Sequence, residues 1–464
     1  MHKPSSIRSP KELRILAPTA ILGYGFPVES FKRGLSRRPH VIAVDAGSTD
    51  PGPYYLGSGK PFVNRDCVKR DLEMMLNASV KAGIPVIIGT AGGSGARPHL
   101  QWCQDIVLEI AREGKLSFRL GCVRADVTKS RVLRQLEAGN IQALQCVDKL
   151  TAEAVRASTN IVAQMGPEPL ITALREGCDV VLAGRCYDPA CFAALPIMLG
   201  YDQALSLHMG KILECAAIAA TPGSGADCVL GTLRGDAFIL ETLSPHRRFT
   251  PQSTAAHTLY EKSDPYHLPG PGGEIDLTHC KFRSLKGGKV EVRGSIFVPT
   301  DDYWVKLEAA RPIGFRSVSI AGTRDPIMIS RIDQIVSSVD QQVRASLASM
   351  SNDAKIHYHI YGKHGVMGPG REVHKTTAHE LGVVIEALAG TQEQADAALA
   401  LARSFMLHYG YPGRISTAGN LAFPFSPSDI SAGRAYEFSI YHLMKINSQD
   451  MFKIDVSDVK RGRA

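Results

Sequence analysis

The sequence has no apolar run near the roughly 20 residues that a membrane-spanning helix needs, and residues 1–12 contain no apolar core of a signal peptide. Its ten cysteines include no C-x-x-C pair and none of the regular spacing of a disulfide scaffold. The lack of long apolar runs argues against a membrane-spanning chain, and the cysteine spacing argues against a fold cross-linked by disulfides. We therefore expect a protein of the reducing cytoplasm.

No stretch of the chain concentrates charge of one sign. The 53 Lys and Arg residues against 45 Asp and Glu residues give a net charge of +8. The densest basic stretches, 32–38 and 460–463, are short and lack interleaved aromatic residues, so nucleic acid is not an expected partner. A modest positive field attracts small anions, and a small anionic metabolite is the expected ligand.

Familiar cofactor motifs are also missing. The turn at 17–25 lacks the three-glycine nicotinamide fingerprint, and the glycine-rich loop 89–97 lacks the Gly-Lys-Ser/Thr of a Walker loop. The spacing of a late group of histidines matches no H-E-x-x-H or comparable metal-ligand pattern. These histidines are His357, His359, His364, His374 and His379. The sequence thus carries no nicotinamide or metal signature and leaves the cofactor unknown.

Strand and helix patterns alternate over the first part of the chain. Nearly continuous apolar runs at 13–16, 40–45, 85–89 and 180–184 are typical of parallel strands that are buried on both faces. Helical patterns between them predict an α/β fold, a mostly parallel Rossmann-like sheet flanked by helices, over residues 1–285. From about residue 290 the order of elements changes and predicts a second α+β sandwich domain over residues 286–464. At 464 residues, two domains are the natural expectation.

Polar loops follow three of the predicted strands, and the carboxyl ends of parallel strands share one edge. The loop 89–97 offers backbone amides of Gly92 and Gly93, the Ser94 hydroxyl and the charge of Arg97 for anion binding. A tight turn without a ligand is the alternative for this loop. Asp45 ends another strand, where it binds substrate or simply caps a turn.

Arg185 and Asp188 follow the strand at 180–184. The guanidinium suits a substrate carboxylate and Asp188 can act as a base, while an internal salt bridge between the two is the competing interpretation.

The segment after Thr250 predicts a helix on which His257, Tyr260 and Glu261 lie at i, i+3 and i+4. Such a face can transfer protons, with the carboxylate raising the pKa of the histidine, or form a buried hydrogen-bonded cluster. On an earlier predicted helix, His208, Lys211 and Cys215 lie near one face with Glu214 offset, and Cys215 is interpreted as a packing residue.

Several segments resemble the acyclic terpene utilisation (AtuA) family over about residues 13–445. They are RILAPTAILGYG (14–25), IGTAGGSG (88–95), LAGRCYDP (182–189), AAHTLYEKSDPYHLPGPGG (255–273) and TAGNLAFPFSPSDI (417–430). The family takes its name from gene clusters for acyclic terpene breakdown, a pathway that runs through CoA thioesters. The resemblance supplies no catalytic residues. Relatives often carry a small companion domain that this chain lacks, so it implies a small companion subunit, and we also expect a homo-oligomer.

The leading function hypothesis is a lyase or isomerase, such as a hydratase, that abstracts a proton next to the carbonyl of a small carboxylate or its CoA thioester. The loop 89–97 with Arg185 is the expected anion clamp, and Asp188, His257 and Glu261 are the candidate base and acid. We expect Asp45, Gly92, Arg185 and His257 around one pocket.

Two alternatives stay open. One is a hydrolase of a small ester, lactone or thioester, with Ser94 or Cys186 as nucleophile, although neither residue lies in G-x-S-x-G. The other is a non-catalytic ligand-binding subunit of a larger enzyme complex.

Overall fold

A computed structural model describes residues 10–144, 147–261, 263–368, 378–415, 417–447 and 449–460. The chain divides into two compact units, Met1–Arg311 with Phe438–Ala464 and Pro312–Glu437. Of the predicted histidine group, His374 lies outside the described residues. Within the described ranges, no helix is long and apolar enough to cross a membrane.

The first part of the chain alternates short strands with helices. These elements are β1 (Leu13–Ala17), α1 (Val28–Ser36), β2 (Val41–Asp45), α2 (Pro53–Ser58), α3 (Arg65–Ala82), β3 (Val86–Gly89), α4 (Arg97–Glu113), β4 (Phe118–Val123), α5 (Lys129–Glu137), β5 (Ile141–Ala143), α6 (Ala152–Ala157), β6 (Asn160–Ala163), α7 (Glu168–Arg175), β7 (Val180–Ala183), α8 (Ala190–Met198) and α9 (Gln203–Leu213).

Strands dominate the rest. After a 3-10 helix at Ala216–Ala219 come β8 (Val229–Arg234), β9 (Ala237–Thr242), α10 (Pro251–Thr258), β10 (His267–Gly270), β11 (Gly273–Asp276), β12 (Lys281–Leu285), β13 (Lys289–Arg293), β14 (Ile296–Pro299), β15 (Tyr303–Thr323), α11 (Pro326–Ser330), α12 (Ile332–Ser349), β16 (Lys355–Tyr361), β17 (Leu381–Ala389), α13 (Gln392–His408), β18 (Asp429–Ile446), a 3-10 turn at Gln449–Met451 and β19 (Ile454–Val459).

A ten-stranded sheet forms the centre of the first unit. Its order is β12-β13-β9-β8-β1-β2-β3-β7-β4-β19. The five strands β1, β2, β3, β7 and β4 are parallel to one another, and antiparallel strands extend the sheet at both edges. Helices pack on both faces, so the predicted α/β fold with a Rossmann-like parallel sheet is confirmed.

The central strands are buried on both faces, as their apolar runs predict. Every residue of β2, β3 and β7 is buried. Successive side chains point to opposite sides, so Ile87 and Ile88 enter two different hydrophobic cores. Helices α3 and α4 fill one core, and α8 and α9 fill the other. This double packing fixes the strand ends that carry the polar loops.

The second unit is an α+β arrangement. Strands β16, β17 and the later half of β15 pair antiparallel, with Ile320 opposite Val384 and His359 also opposite Val384. Apolar residues of α12 and α13, among them Val339 and Leu399, share one core with β17.

The two units divide at Arg311, not at the predicted boundary between residues 285 and 286. Strands β12 and β13 pair with the large sheet through β9, which keeps residues 281–293 in the first unit. The end of the chain also belongs there, because β19 pairs antiparallel with β4. The second unit is therefore an insertion that begins within β15 and ends within β18.

Candidate functional site

The carboxyl ends of β2, β3 and β7 meet at one edge of the sheet. Asp45 at the end of β2 lies opposite Gly89 at the end of β3, and Ile88 lies opposite Leu182 of β7. The loops that begin at these residues are therefore neighbours, as the parallel topology predicts. Ligands of open α/β sheets bind at this edge, which makes it the candidate site.

The glycine-rich loop after β3 packs directly on the loop after β7. The Gly95 carbonyl accepts a hydrogen bond from the Arg185 amide at 3.0 Å, and the Thr90 hydroxyl accepts one from the Cys186 amide at 3.3 Å. Gly95 has φ +66°, and a Cβ there would lie 2.1 Å from the Arg185 nitrogen. Glycine is required here because two backbones touch.

The other predicted residues of this loop have separate surroundings. Gly92 packs against His99 and Gly93 against Phe62, while Ser94 is buried. Arg97 begins α4, is exposed and lines a surface cavity of about 240 Å³ together with Arg124 and other residues. The lining of that cavity includes neither Asp45 nor Arg185. Of the predicted clamp, the loop 89–97 contacts Arg185 through Gly95, whereas the Arg97 side chain lines a cavity that does not include Arg185.

Three carboxyl groups converge at the sheet edge. Asp45, Asp188 and Glu214 each place an oxygen atom within 4.8 Å of the other two. We call these three residues the carboxyl cluster. Asp45 is 6% exposed, and its Oδ1 has no hydrogen-bond partner among the described residues. The cluster is thus a buried concentration of acidic groups.

Burial raises the pKa of two members of the carboxyl cluster, Asp45 and Glu214. Desolvation raises the pKa of Asp45 well above its ordinary value, and the nearby Asp188 and Glu214 carboxyls raise it further. Desolvation also raises the pKa of Glu214 to about 7, against the opposing effect of Lys211. A buried carboxylate loses hydration, and a like charge beside it adds repulsion, so both effects favour the protonated form.

A buried lysine lies beside the cluster. The Lys211 ammonium donates to Oε1 of Glu214 at 2.5 Å and lies 3.8 Å from Oε2 of Glu261. It is also 5.5 Å from the centre of the Tyr260 ring. The carboxylates outweigh desolvation and keep the pKa of Lys211 above its ordinary value, so the side chain is a fixed cation.

Arg185 is held by protein carboxylates. Its Nε donates to Glu308 at 2.7 Å and its Nη1 to Asp188 at 2.9 Å, and the guanidinium side chain is 2% exposed. Glu308 also pairs with Lys306 at 2.8 Å and accepts from the Thr49 hydroxyl at 3.0 Å. Of the two interpretations of Arg185 and Asp188, the structure contains the internal salt bridge. The guanidinium positions Asp188 within the carboxyl cluster.

The helix that carries His257 is shorter than predicted. Thr250 caps α10 and forms a capping box with Ser253, but the helix ends at Thr258. Glu261 lies beyond the helix at φ +62°, and its carboxylate faces Lys211. The expected i, i+4 pair of His257 and Glu261 was therefore wrong, because the chain turns out of the helix before Glu261.

His257 is buried beside Lys211. Its ring stacks on Tyr260, with ring centres 5.2 Å apart and planes 10° apart, and its Nε2 has no hydrogen-bond partner among the described residues. Desolvation, together with the Lys211 charge, lowers the pKa of His257 to about 4. This shift is opposite to the predicted rise, because burial disfavours the imidazolium and the charge that acts on the ring is the Lys211 cation instead of the Glu261 carboxylate. The imidazole is neutral at neutral pH.

The two candidate nucleophiles have no activating base in the described parts of the chain. Burial raises the pKa of the Cys186 thiol to about 12, so it is protonated at neutral pH. The Ser94 hydroxyl oxygen is buried without a hydrogen-bond partner. Nucleophilic catalysis needs a base within hydrogen-bond reach of the nucleophile. The geometry gives the hydrolase alternative no support.

Sequence reasoning noted Lys211 and Glu214 on one helix without assigning them to the site, and it missed Glu308 entirely. Lys211 and Glu214 stand three positions apart at the end of α9, a spacing that signals a pair but not its burial. Glu308 lies within the long strand β15, and nothing in its sequence surroundings indicates that it meets Arg185. Two residues that are 123 positions apart leave no local sequence pattern that would indicate their contact.

The fold and site define an α/β protein with a buried carboxyl-rich centre at the ends of parallel strands. The chain belongs to the AtuA family: the model of acyclic terpene utilisation family protein AtuA matches residues 64–228 and 231–424. The matched ranges contain Asp188, Lys211, Glu214 and His257, whereas Asp45 precedes them. Comparisons with curated proteins and with solved structures found no match.

Proposed function

We propose that this chain is a lyase or isomerase that moves a proton next to the carbonyl group of a small carboxylate or its CoA thioester. One observation carries the proposal: the fixed cation of Lys211 pairs with Glu214 of the carboxyl cluster and lies 5.5 Å from the centre of the Tyr260 ring, on which the neutral imidazole of His257 stacks. Proton abstraction next to a carbonyl needs a base and a positive charge that stabilises the enolate oxygen. This arrangement offers both.

We assign His257 as the base. Its imidazole is neutral at neutral pH, and Nε2 has no hydrogen-bond partner among the described residues. Stacking on Tyr260 fixes the plane of the ring, which orients the nitrogen without occupying it. A low pKa makes the imidazole a weak base, so the proposal depends on a strongly stabilised enolate.

We assign Lys211 to enolate stabilisation. An ammonium group has three donors, and Glu214 accepts from it at 2.5 Å. Lys211 is buried, where a fixed charge interacts more strongly with a developing oxyanion than it would in water. Glu214 and Glu261 hold the ammonium in place, so little reorganisation accompanies the reaction.

The carboxyl cluster bears on the choice between the two substrate classes. The carbonyl of a thioester is uncharged and meets no direct charge repulsion from Asp45, Asp188 and Glu214. A free carboxylate is repelled unless protons or a cation neutralise the cluster. The thioester is therefore the first substrate class to test.

Hydrogen exchange at the carbon next to the carbonyl tests the proposal directly. Small carboxylates and their CoA thioesters are incubated with the protein in D₂O, and loss of the α-proton signal is followed by NMR. We expect exchange with the native protein for at least one compound and a rate lower by about 10²–10⁴-fold in His257→Gln. The matched control is His267→Gln, which removes a histidine with a half-exposed side chain at the start of β10.

Two results would contradict the assignments. Exchange at the native rate in His257→Gln would show that His257 is not the base. Binding of a panel compound, seen as a thermal shift, without exchange would instead favour the non-catalytic ligand-binding alternative.

A further inference from the structure

The carboxyl cluster has features that proton transfer does not require. Its three oxygen-bearing side chains come from separate segments, after β2, after β7 and after α9. Asp45 and Glu214 are each more than nine-tenths buried, yet their carboxyl oxygens approach Asp188 and each other within 4.8 Å. Acidic groups this close and this buried repel one another unless something positive separates them.

One carboxyl oxygen of the cluster residue Asp45 is an unsatisfied acceptor. Oδ1 of Asp45 is buried and has no hydrogen-bond donor among the described residues. A buried polar atom without a partner destabilises the fold, because it has lost its hydrogen bonds to water, and such atoms are rare in native proteins. It therefore marks a position where a further group binds. A carboxylate oxygen can be satisfied by a donor or by a cation.

The charges connected to the cluster do not balance. Ion pairs and close approach join five carboxyl groups to three cations, which leaves two negative charges when all are ionised. The carboxyl groups are those of Asp45, Asp188, Glu214, Glu261 and Glu308, and the cations are Arg185, Lys211 and Lys306. A divalent cation would balance both charges at once, as protonation of Asp45 and Glu214 does without it.

We propose that Asp45, Asp188 and Glu214 bind one divalent cation of the Mg²⁺ and Mn²⁺ class. All three donors are carboxylate oxygens, which hard cations prefer. Mg²⁺ and Mn²⁺ sites commonly use a few carboxylates and complete their coordination with water or substrate, whereas Ca²⁺ takes six to eight oxygen ligands. Three protein carboxylates therefore fit the smaller ions.

The neighbouring thiols do not make this a zinc site. Cys186 and Cys191 lie near Asp45, since a Cβ at Gly89 would meet Oδ1 of Asp45 and both sulfur atoms within 3.2 Å. The group of possible ligand atoms that lie within 4.8 Å of one another consists of the three carboxylates and includes neither sulfur atom. The oxygen donors remain the ligand set.

The surrounding cations orient the ligands without replacing the metal. Lys211 donates to Oε1 of Glu214, and Arg185 donates to Oδ1 of Asp188. A carboxylate has two oxygens, so each of these residues keeps a second oxygen for the cation. Hydrogen bonds of this kind fix the direction of metal ligands.

Binding of the cation stands on the geometry of the cluster alone. Its use in catalysis rests on the proposed function, where the bound cation would neutralise the cluster and polarise the substrate carbonyl. The two ideas are tested by different measurements.

Titration with Mn²⁺ tests the site. The full-length protein is treated with EDTA, freed of the chelator and titrated with MnCl₂, and free Mn²⁺ is followed by electron paramagnetic resonance. We expect one Mn²⁺ per chain, displaced by excess Mg²⁺. Asp45→Asn and Glu214→Gln should each weaken Mn²⁺ binding by about tenfold or more, because each removes one ligand charge.

A matched control separates the cluster from acidic groups in general. Glu241 also pairs with two cations, Arg37 and Lys289, but lies outside the cluster, so Glu241→Gln should bind Mn²⁺ like the native protein. Circular dichroism and thermal unfolding in EDTA establish that each variant is folded. If one cluster variant fails to fold, the other decides the result.

Two outcomes overturn the cation site: no Mn²⁺ binding to the native protein at millimolar concentration, or unchanged binding in both cluster variants. Either leaves the exchange assay with His257→Gln unaffected. Conversely, Mn²⁺ binding at the cluster without α-proton exchange would overturn the proposed function and retain the cation site.

Discussion

Arg185 donates from Nε to the Glu308 carboxylate at 2.7 Å, and both side chains are almost completely buried. Removing one partner of such a pair leaves a desolvated charge without compensation. We expect Glu308→Gln to lower the free energy of unfolding by about 3 kcal/mol, measured by urea denaturation. In contrast, Glu241→Gln breaks ion pairs at a more exposed position and should cost less than about 1 kcal/mol. Equal losses in the two variants would show that burial does not govern the Arg185 pair.

The contact between Gly95 and Arg185 predicts an unusually sensitive glycine. Gly95→Ala places a Cβ 2.1 Å from the Arg185 nitrogen, so the two loops must separate, and we expect a loss of about 3 kcal/mol or more. Gly139 has a similar φ of +73° but nothing within 4 Å of its Cβ position. Gly139→Ala should therefore lower the free energy of unfolding by only about 1 kcal/mol, which is the penalty for an alanine in the left-handed conformation. Thermal unfolding of both variants compares the steric and conformational costs.

His208 predicts a pH dependence of stability. It is fully buried between the hydroxyls of Ser295 and Thr258, and burial lowers its pKa to about 3. Because the unfolded chain binds a proton at about pH 6.5 and the folded chain does not, this histidine destabilises the fold as pH falls below 6.5. Its contribution should change by about 2 kcal/mol between pH 7 and pH 5.

The difference between native protein and His208→Gln isolates that contribution, since all other titrating groups remain in both. Urea unfolding at pH 7, 6 and 5 should show the native protein losing more stability than the variant. Parallel curves for the two proteins would mean that His208 is protonated in the folded state.

Burial of Cys186 predicts low reactivity. Its thiol is completely buried with a raised pKa, whereas Cys67 at the start of α3 is partly exposed. Iodoacetamide should modify Cys67 in the native protein and leave Cys186 unmodified, as measured by mass spectrometry of tryptic peptides. Rapid alkylation of Cys186 would revive it as a candidate nucleophile.

The sequence predicted the parts of the molecule that follow from local patterns. The apolar runs of β2, β3 and β7 indicated buried parallel strands, and the topology rule then placed Asp45 and Arg185 at one edge. The pairing of Arg185 with Glu308 could not be predicted, because it joins loop and strand across 123 positions.

The end of α10 was misjudged for a different reason. The residues through Glu261 contain no proline or glycine after Pro251, so the local pattern allows the helix to continue. Instead, the helix ends at Thr258, with Leu259 as its C-cap residue. Glu261 adopts a positive φ, and its carboxylate faces Lys211. The end of this helix thus coincides with a tertiary contact between Glu261 and Lys211, which the local sequence does not contain.

The last strand, β19, completes the large sheet by pairing with β4. The pairing runs from Phe118 opposite Val459 to Val123 opposite Ile454. The ribosome makes β4 more than 300 residues before β19, with the whole second unit between them. Until β19 is made, β4 therefore has one row of backbone amides and carbonyls without strand partners. Other chains can form hydrogen bonds with such an edge. Synthesis of β19, and not emergence of the parallel strands, is the event that allows this edge to become protected.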